Sequence, residues 1–389
     1  MMHHIKQILT VMILTLPFWA ASLTLGQQVV QASDKDEKEV VRARIGRRTG
    51  AKVEVVRSSM LSDETRNAMK IVPTEGTIVA IGGHNSMSTD RMLANLALQR
   101  AAGMVPDPNY DIFKSKSKGE LRDLQKKVRV LVFTQASGED ESRKKRNAGV
   151  MFDTAGIPRG NVTVIGTEVT ESTPLDGFHL IYLGGGDQNA FMALLSEKVV
   201  QDLHDYLNKG GMIAGTSAGA AILSRKMFAG GKEPQDGTLT KDVVDMREGF
   251  GFLEAMSIDM HLFQYVRFAR AMGALAQLDA EAAGEAADAT EGVKPKAKTA
   301  PIDDVMLSLG QDSIAVVQAV DLTGKLEKTT RPVGAVKITI CGTTQSWLLQ
   351  CGENFNSNLA GLQDVSDLAE QWDMRVSVVA PRSWFVIKW

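Results

Sequence analysis

Through most of its middle, the chain alternates short apolar runs with polar, glycine-rich turns. Thr77-Ile78-Val79-Ala80-Ile81 stops at Gly82-Gly83, and Val128-Arg129-Val130-Leu131-Val132-Phe133 stops at Thr134-Gln135-Ala136-Ser137. Val162-Thr163-Val164-Ile165 is a third run. Leu180-Ile181-Tyr182-Leu183 stops at Gly184-Gly185-Gly186, and Met212-Ile213-Ala214 stops at Gly215-Thr216-Ser217. Runs this short and this apolar read as strands buried on both faces. Between them, Asp90 to Ala102, Ser142 to Ala155 and Lys198 to Asn208 carry helical patterns. Strands alternating with helices predict an α/β fold of three layers, a parallel sheet with helices on both faces. A ligand crevice is expected at the C-terminal strand ends. Further strand-like runs follow at Ile314-Ala315-Val316-Val317, Ala335 to Ile340 and Trp384-Phe385-Val386-Ile387.

The two ends and one internal stretch break the pattern. Lys6 precedes an apolar run from Ile8 to Leu25, and Val30-Gln31-Ala32 offers small residues for cleavage before Ser33. Residues 1–32 therefore read as a signal peptide, which makes the folded chain secreted or periplasmic, with no membrane span left after cleavage. Ala276 to Ala300 is rich in Ala, Glu, Asp and Lys and poor in large apolar residues. Such a segment cannot bury enough surface to offset its ordering entropy, so it reads as a low-complexity insertion. The remaining length divides into one catalytic domain, 33–342, and a C-terminal extension, 343–389.

Composition narrows the class. Hydrophobic residues make up 44% and charged residues 23%, which excludes global disorder, a collagen and a polytopic membrane protein. A net charge of -2 argues against nucleic acid as the main partner. Two cysteines, Cys341 and Cys351, cannot build a disulfide scaffold or a four-thiolate metal site. In an oxidising compartment they could close one strand–turn–strand loop.

The sharpest chemical signal is Gly215-Thr216-Ser217-Ala218-Gly219, a G-x-S-x-G turn between a buried strand and a helix start. A serine on such a turn stands in a strained backbone with its hydroxyl projecting from the sheet edge. The weak nucleophile needs a base. With His3 and His4 in the leader, His84, His179, His204 and His261 remain, and His261, in Ile258-Asp259-Met260-His261, leads His84. The third member, an acid orienting the imidazole, is left open by spacing among Glu233, Asp236, Asp242, Asp245, Glu248, Glu254 and Asp259. For the oxyanion, Ala218 offers one backbone amide and Gly185 or Gly186 another.

Taken in order, Gly185-Gly186-Asp187-Gln188, Gly215-Thr216-Ser217-Ala218-Gly219-Ala220, Asp259-Met260-His261 with Arg267 and Arg270, and Gly310-Gln311-Asp312-Ser313-Ile314-Ala315 resemble the cyanophycinase branch of the S51 serine peptidases. That group is similar in fold to class I glutamine amidotransferases. The resemblance implies Ser217 as nucleophile, His261 as base and Glu233 as orienting acid. Gln188, Asp259, Arg267 and Arg270 would line the substrate pocket. It implies an exopeptidase releasing β-Asp-Arg dipeptides from cyanophycin, without cofactor or metal. A homodimer is compatible with it. Met260, Tyr265 and Ser313 stand where the family carries Gln, Arg and Glu. Two alternatives remain: an aspartyl dipeptidase of the same fold, and a non-catalytic protein binding Asp- or Arg-rich ligands.

Overall fold

The computed structural model describes residues 42–44, 52–72, 75–83, 86–166, 173–230, 244–253, 256–265, 267–268, 270–275, 277–278, 305–321, 335–351 and 374–388. The leader 1–32, His84, Glu233 and nearly all of the 276–300 insertion lie outside them. The strands, in chain order, are β1 (Arg42–Arg44), β2 (Lys52–Arg57), β3 (Lys70–Ile71), β4 (Thr77–Ile81), β5 (Val130–Phe133), β6 (Val162–Ile165), β7 (Leu180–Leu183) and β8 (Met212–Thr216). They continue with β9 (Lys226–Gly230), β10 (Asp245–Glu248), β11 (Ser257–Met260), β12 (Val305–Leu309), β13 (Ser313–Asp321), β14 (Ala335–Gly342), β15 (Ser346–Cys351), β16 (Met374–Val379) and β17 (Trp384–Lys388).

The large sheet runs β1-β2-β17-β14-β13-β4-β8-β7-β5-β6, with β3 beside β13. From β4 to β6 every neighbouring pair is parallel. These are the apolar runs predicted as strands, and the helices Met87–Ala101, Glu141–Thr154 and Glu197–Asn208 stand where helices were expected.

Side chains alternate across these strands, so each strand feeds two cores. Ile78, Phe133, Ile181 and Ile213 face Val199, Leu203 and Leu207 of the helix Glu197–Asn208. Val79, Val132, Tyr182 and Ala214 face Leu93 and Leu96 of Met87–Ala101 and Phe152 of Glu141–Thr154. Each fully buried large apolar side chain contributes about 1.5–3 kcal/mol, so the two layers dominate the stability of this half.

The expectation of a parallel sheet needs a correction on the other side of β4. There β13, β14, β17, β2 and β1 form an antiparallel wing. Antiparallel neighbours need no helical crossover, so their runs are not spaced by helix-patterned segments and the alternation that signals a parallel sheet is missing. A second sheet, β11-β12-β15-β16, was not expected at all. Its first pair is parallel and the others antiparallel.

Strands from residues 343–389 enter both sheets: β15 and β16 the small one, β17 the large one, where Phe385, Val386 and Ile387 are buried. The two cysteines fall on different sheets, Cys341 opposite Ile314 and Cys351 opposite Met374. The strand–turn–strand clip is therefore corrected. Cys341 is a free, buried thiol, and burial pushes its pKa up to about 11.

Candidate active site

Two pairs of parallel strands deliver the candidate residues to one place. β4 and β8 are neighbours with Ile81 opposite Thr216, so Gly82-Gly83 and Ser217 emerge side by side. β11 and β12 are neighbours with Met260 opposite Leu309, so His261 and the turn Gly310-Gln311-Asp312 emerge side by side. Backbone hydrogen bonds join the pairs. The N–H of His261 donates to Gly82 O at 2.9 Å, and that of Asp312 donates to Gly83 O at 3.2 Å.

Ser217 has φ 51° and ψ -117°, and it opens the short helix Ala218–Ala221. Its own N–H is engaged, donating to Ile81 O at 3.1 Å. His261 also has a positive φ, 59°. For a residue other than glycine, each such conformation costs about 1–3 kcal/mol and persists only where the surroundings enforce it. The two strained residues are partners: Ser217 Oγ lies 2.8 Å from His261 Nε2. That is nucleophile–base hydrogen-bonding distance.

Glycines make the approach sterically feasible. A Cβ on Gly215 would stand 2.0 Å from Gly219 O, and one on Gly83, where φ is 101°, would stand 2.0 Å from His261 Cε1. Gly185 borders Ser217, since a Cβ there would come within 3.2 Å of Ser217 Cβ. Gly186 packs instead against Ala136 O. Of the two glycines considered for the oxyanion, Gly185 is the one beside Ser217, with Ala218 following in the chain.

The four residues expected to line a substrate pocket fare differently. Asp259 is fully buried on β11 and paired with the Arg270 guanidinium, itself 9% exposed. Asp259 Oδ1 also accepts the Met260 N–H at 2.8 Å, and Arg270 lies over the Phe228 ring at 4.6 Å. These two side chains are engaged with each other beneath the histidine strand. Gln188 donates its amide to Phe228 O at 2.7 Å, tying β9 to the Gly184-Gly185-Gly186 strand end. Arg267 donates to Met260 O at 3.2 Å and lies 4.6 Å over the Tyr265 ring. The Tyr265 ring in turn stands edge-on to His261 at 5.4 Å, so Arg267 is linked to His261 through Tyr265.

One neighbour of His261 had no role in the sequence reading. The side-chain amide nitrogen of Gln311 lies 3.2 Å from His261 Nδ1. Its run, Gly310-Gln311-Asp312, was visible, but only the pairing of β11 with β12 brings it to the imidazole. Asp312 turns away: its Oδ1 accepts the Ser86 N–H at 2.7 Å and the Thr89 hydroxyl at 3.3 Å, at the start of the helix Met87–Ala101. Among the described residues, no three His, Cys, Asp or Glu side chains gather to hold a metal ion. No described helix is long and apolar enough to cross a membrane.

Comparison with known proteins adds the following. Residues 147–281 match the model of peptidase family S51. A cyanophycinase from Trichormus variabilis is 35% identical over 98 residues, 25% of this chain and 32% of that protein. One from Synechococcus elongatus is 34% identical over 97 residues, 24% of this chain and 30% of that protein. The chain thus spans about a third of the length of the curated relatives it matches. The crystal structure of a peptidase from an acI-B1 Actinobacterium covers 70% of this chain, and 89% of its own chain is covered, at 16% identity and a TM-score of 0.41.

Proposed function

We propose, from the match of residues 147–281 to the model of peptidase family S51, that the chain is a serine-type hydrolase of amide bonds with Ser217 as nucleophile and His261 as base. The observation that carries the reading is the 2.8 Å contact between Ser217 Oγ and His261 Nε2, made by two residues that both hold positive φ. In the reaction, Ser217 Oγ attacks the scissile carbonyl and its proton passes to His261 Nε2. The carbonyl oxygen gains negative charge beside the amides of Ala218 and Gly185, at the start of the helix Ala218–Ala221. His261 returns the proton to the leaving amine, and water then cleaves the acyl-enzyme by the same route in reverse order of roles.

The substrate we propose is an aspartate-backboned, arginine-bearing polymer of the cyanophycin type, cut to β-Asp-Arg dipeptides. Arg267, near the base through Tyr265, and Gln188, at the Gly185 strand end, are the residues we assign to the substrate. Asp259 and Arg270, paired with each other, support the strand rather than the substrate. Export is part of the proposal and rests on the leader pattern in residues 1–32. The carboxylate suggested by the family resemblance, Glu233, lies outside the described residues.

The experiment is active-site labelling of the purified chain with a fluorophosphonate, beside Ser217→Ala. Labelling that vanishes in Ser217→Ala is the expected result, and equal labelling of both proteins would sink the hydrolase reading. Incubation with insoluble cyanophycin, read as released β-Asp-Arg, then tests the substrate. Ser217-dependent labelling without dipeptide release would shift the substrate to small aspartyl dipeptides.

A further inference from the structure

The contact at the far side of the imidazole identifies what orients the base. We infer that Gln311 is the positioning residue of His261, its neutral side-chain amide taking the place at Nδ1 that a carboxylate holds in a Ser-His-acid triad. The inference rests on the reading of Ser217 and His261 as nucleophile and base.

Three observations support it. The first is geometry. The two ring nitrogens of His261 face Ser217 Oγ at 2.8 Å and the Gln311 amide at 3.2 Å, on opposite sides of the ring. The second is that Gln311 is itself held from two directions. Its backbone N–H donates to Gln264 Oε1 at 3.2 Å, and its carbonyl accepts the Thr344 hydroxyl. Thr344 Oγ1 lies 2.9 Å from Ser313 Oγ, so the turn is tied to the start of β13 and to the loop before β15. The third is topological. The parallel register of β11 and β12 fixes His261 and Gln311 at adjacent strand ends, where the Leu262 N–H also donates to Leu309 O at 3.1 Å.

An amide has one consequence that a carboxylate does not. Its oxygen and its NH2 group exchange places by a half-turn of the side chain. With the oxygen toward the ring, it accepts from Nδ1–H and leaves Nε2 able to take the serine proton. With the NH2 toward the ring, it donates to Nδ1, and Nε2–H points at Ser217, which is the unproductive tautomer. A carboxylate supports only the first. A neutral orienter also adds no charge to hold the imidazolium, as the amide of Cys-His-Asn proteases illustrates. Around the ring, Tyr265 stands edge-on at 5.4 Å, and Arg267 is stacked on Tyr265. The Asp312 carboxylate is turned to Ser86 and Thr89.

The test uses the full chain carrying 15N-histidine, with the His261 signals assigned through His261→Asn, titrated by NMR in parallel with fluorophosphonate labelling rates across pH. Gln311→Glu is expected to raise the His261 pKa by about one unit, because a carboxylate within hydrogen-bond distance favours the charged imidazole. It should keep labelling, with the pH profile displaced to the same extent. Gln311→Ala is expected to slow labelling about tenfold or more through loss of tautomer control. Glu233→Gln should leave the His261 pKa unmoved. The inference is overturned if Glu233→Gln lowers that pKa by about a unit while both Gln311 variants leave pKa and labelling alone. A wild-type chain that never labels at Ser217, yet shows the Gln311-dependent shift, would support the positioning role while sinking the hydrolase reading.

Discussion

The two halves of the site are built by different means. On the nucleophile side, β4, β7 and β8 bring backbone against backbone, and position is set by the absence of side chains at Gly83, Gly185, Gly215 and Gly219. On the base side, β11 and β12 bring side chains together, and position is set by hydrogen bonds among His261, Gln311, Gln264 and Thr344. The lesson is that the same 2.8 Å contact has two kinds of vulnerability. The nucleophile side is sensitive to added volume, and the base side to lost polar partners.

The buried pair beneath the base makes the most demanding test of this contrast. Asp259→Ala would remove the carboxylate paired with the buried Arg270 guanidinium. Breaking a buried pair by removing one partner costs roughly 3–5 kcal/mol. Urea unfolding should register that loss. A change under about 1 kcal/mol would show that the pair is solvated and that Asp259 is free for substrate after all.

Next in size is the volume test. Gly215→Ala would place a Cβ at 2.0 Å from Gly219 O, a backbone atom that cannot swing aside. The expected cost is at the upper end of the roughly 1–3 kcal/mol typical of overpacking. Fluorophosphonate labelling should fall more steeply than stability, because displacing the elbow by a fraction of an ångström misaligns Ser217 with His261. Labelling that tracks stability alone would place the strain away from the elbow.

The contrast also explains what could be read from the sequence. Steric positioning leaves a local mark. Apolar runs that end in glycine, and a serine flanked by Gly215, Ala218 and Gly219, are visible in one pass, and β4, β5, β6, β7 and β8 stand within a few residues of where those runs predicted. Polar positioning leaves none. Gln311 reaches His261 because β11 and β12 pair across a separation of some fifty residues, and no spacing rule states which strands will be neighbours. Asp259 and Arg270 look like pocket residues by type alone. Only the structure reveals that both are buried and paired with each other. In the antiparallel wing, β13, β14 and β17 stood out as apolar runs, but their antiparallel pairing with one another and with β2 was not legible for the same reason.

The smallest expected effect concerns the opposite end of the parallel half. His179 immediately precedes β7, whose other end carries Gly185. Its Nδ1 accepts the Arg129 N–H at 3.1 Å, while its own N–H donates to Arg129 O at 2.8 Å. Burial, then the positive charges of Arg100 and Arg129, hold its pKa below the ordinary histidine value of 6.5. Between that lowered value and about 6.5, the unfolded chain binds the proton more readily than the folded one. The stability from neutral His179 is therefore fully present above about pH 6.5 and is lost as pH falls below it. Urea midpoints of the wild type should decline over that window by more than those of His179→Gln, which has no proton to gain. Because His179 precedes β7 at the end away from Gly185, and His261 follows β11 of the small sheet, the variant should leave the pH dependence of Ser217 labelling in place. If His179→Gln moved the labelling profile as well, the far end of β7 would be coupled to the site, and the independence of nucleophile-side packing from titration would fail.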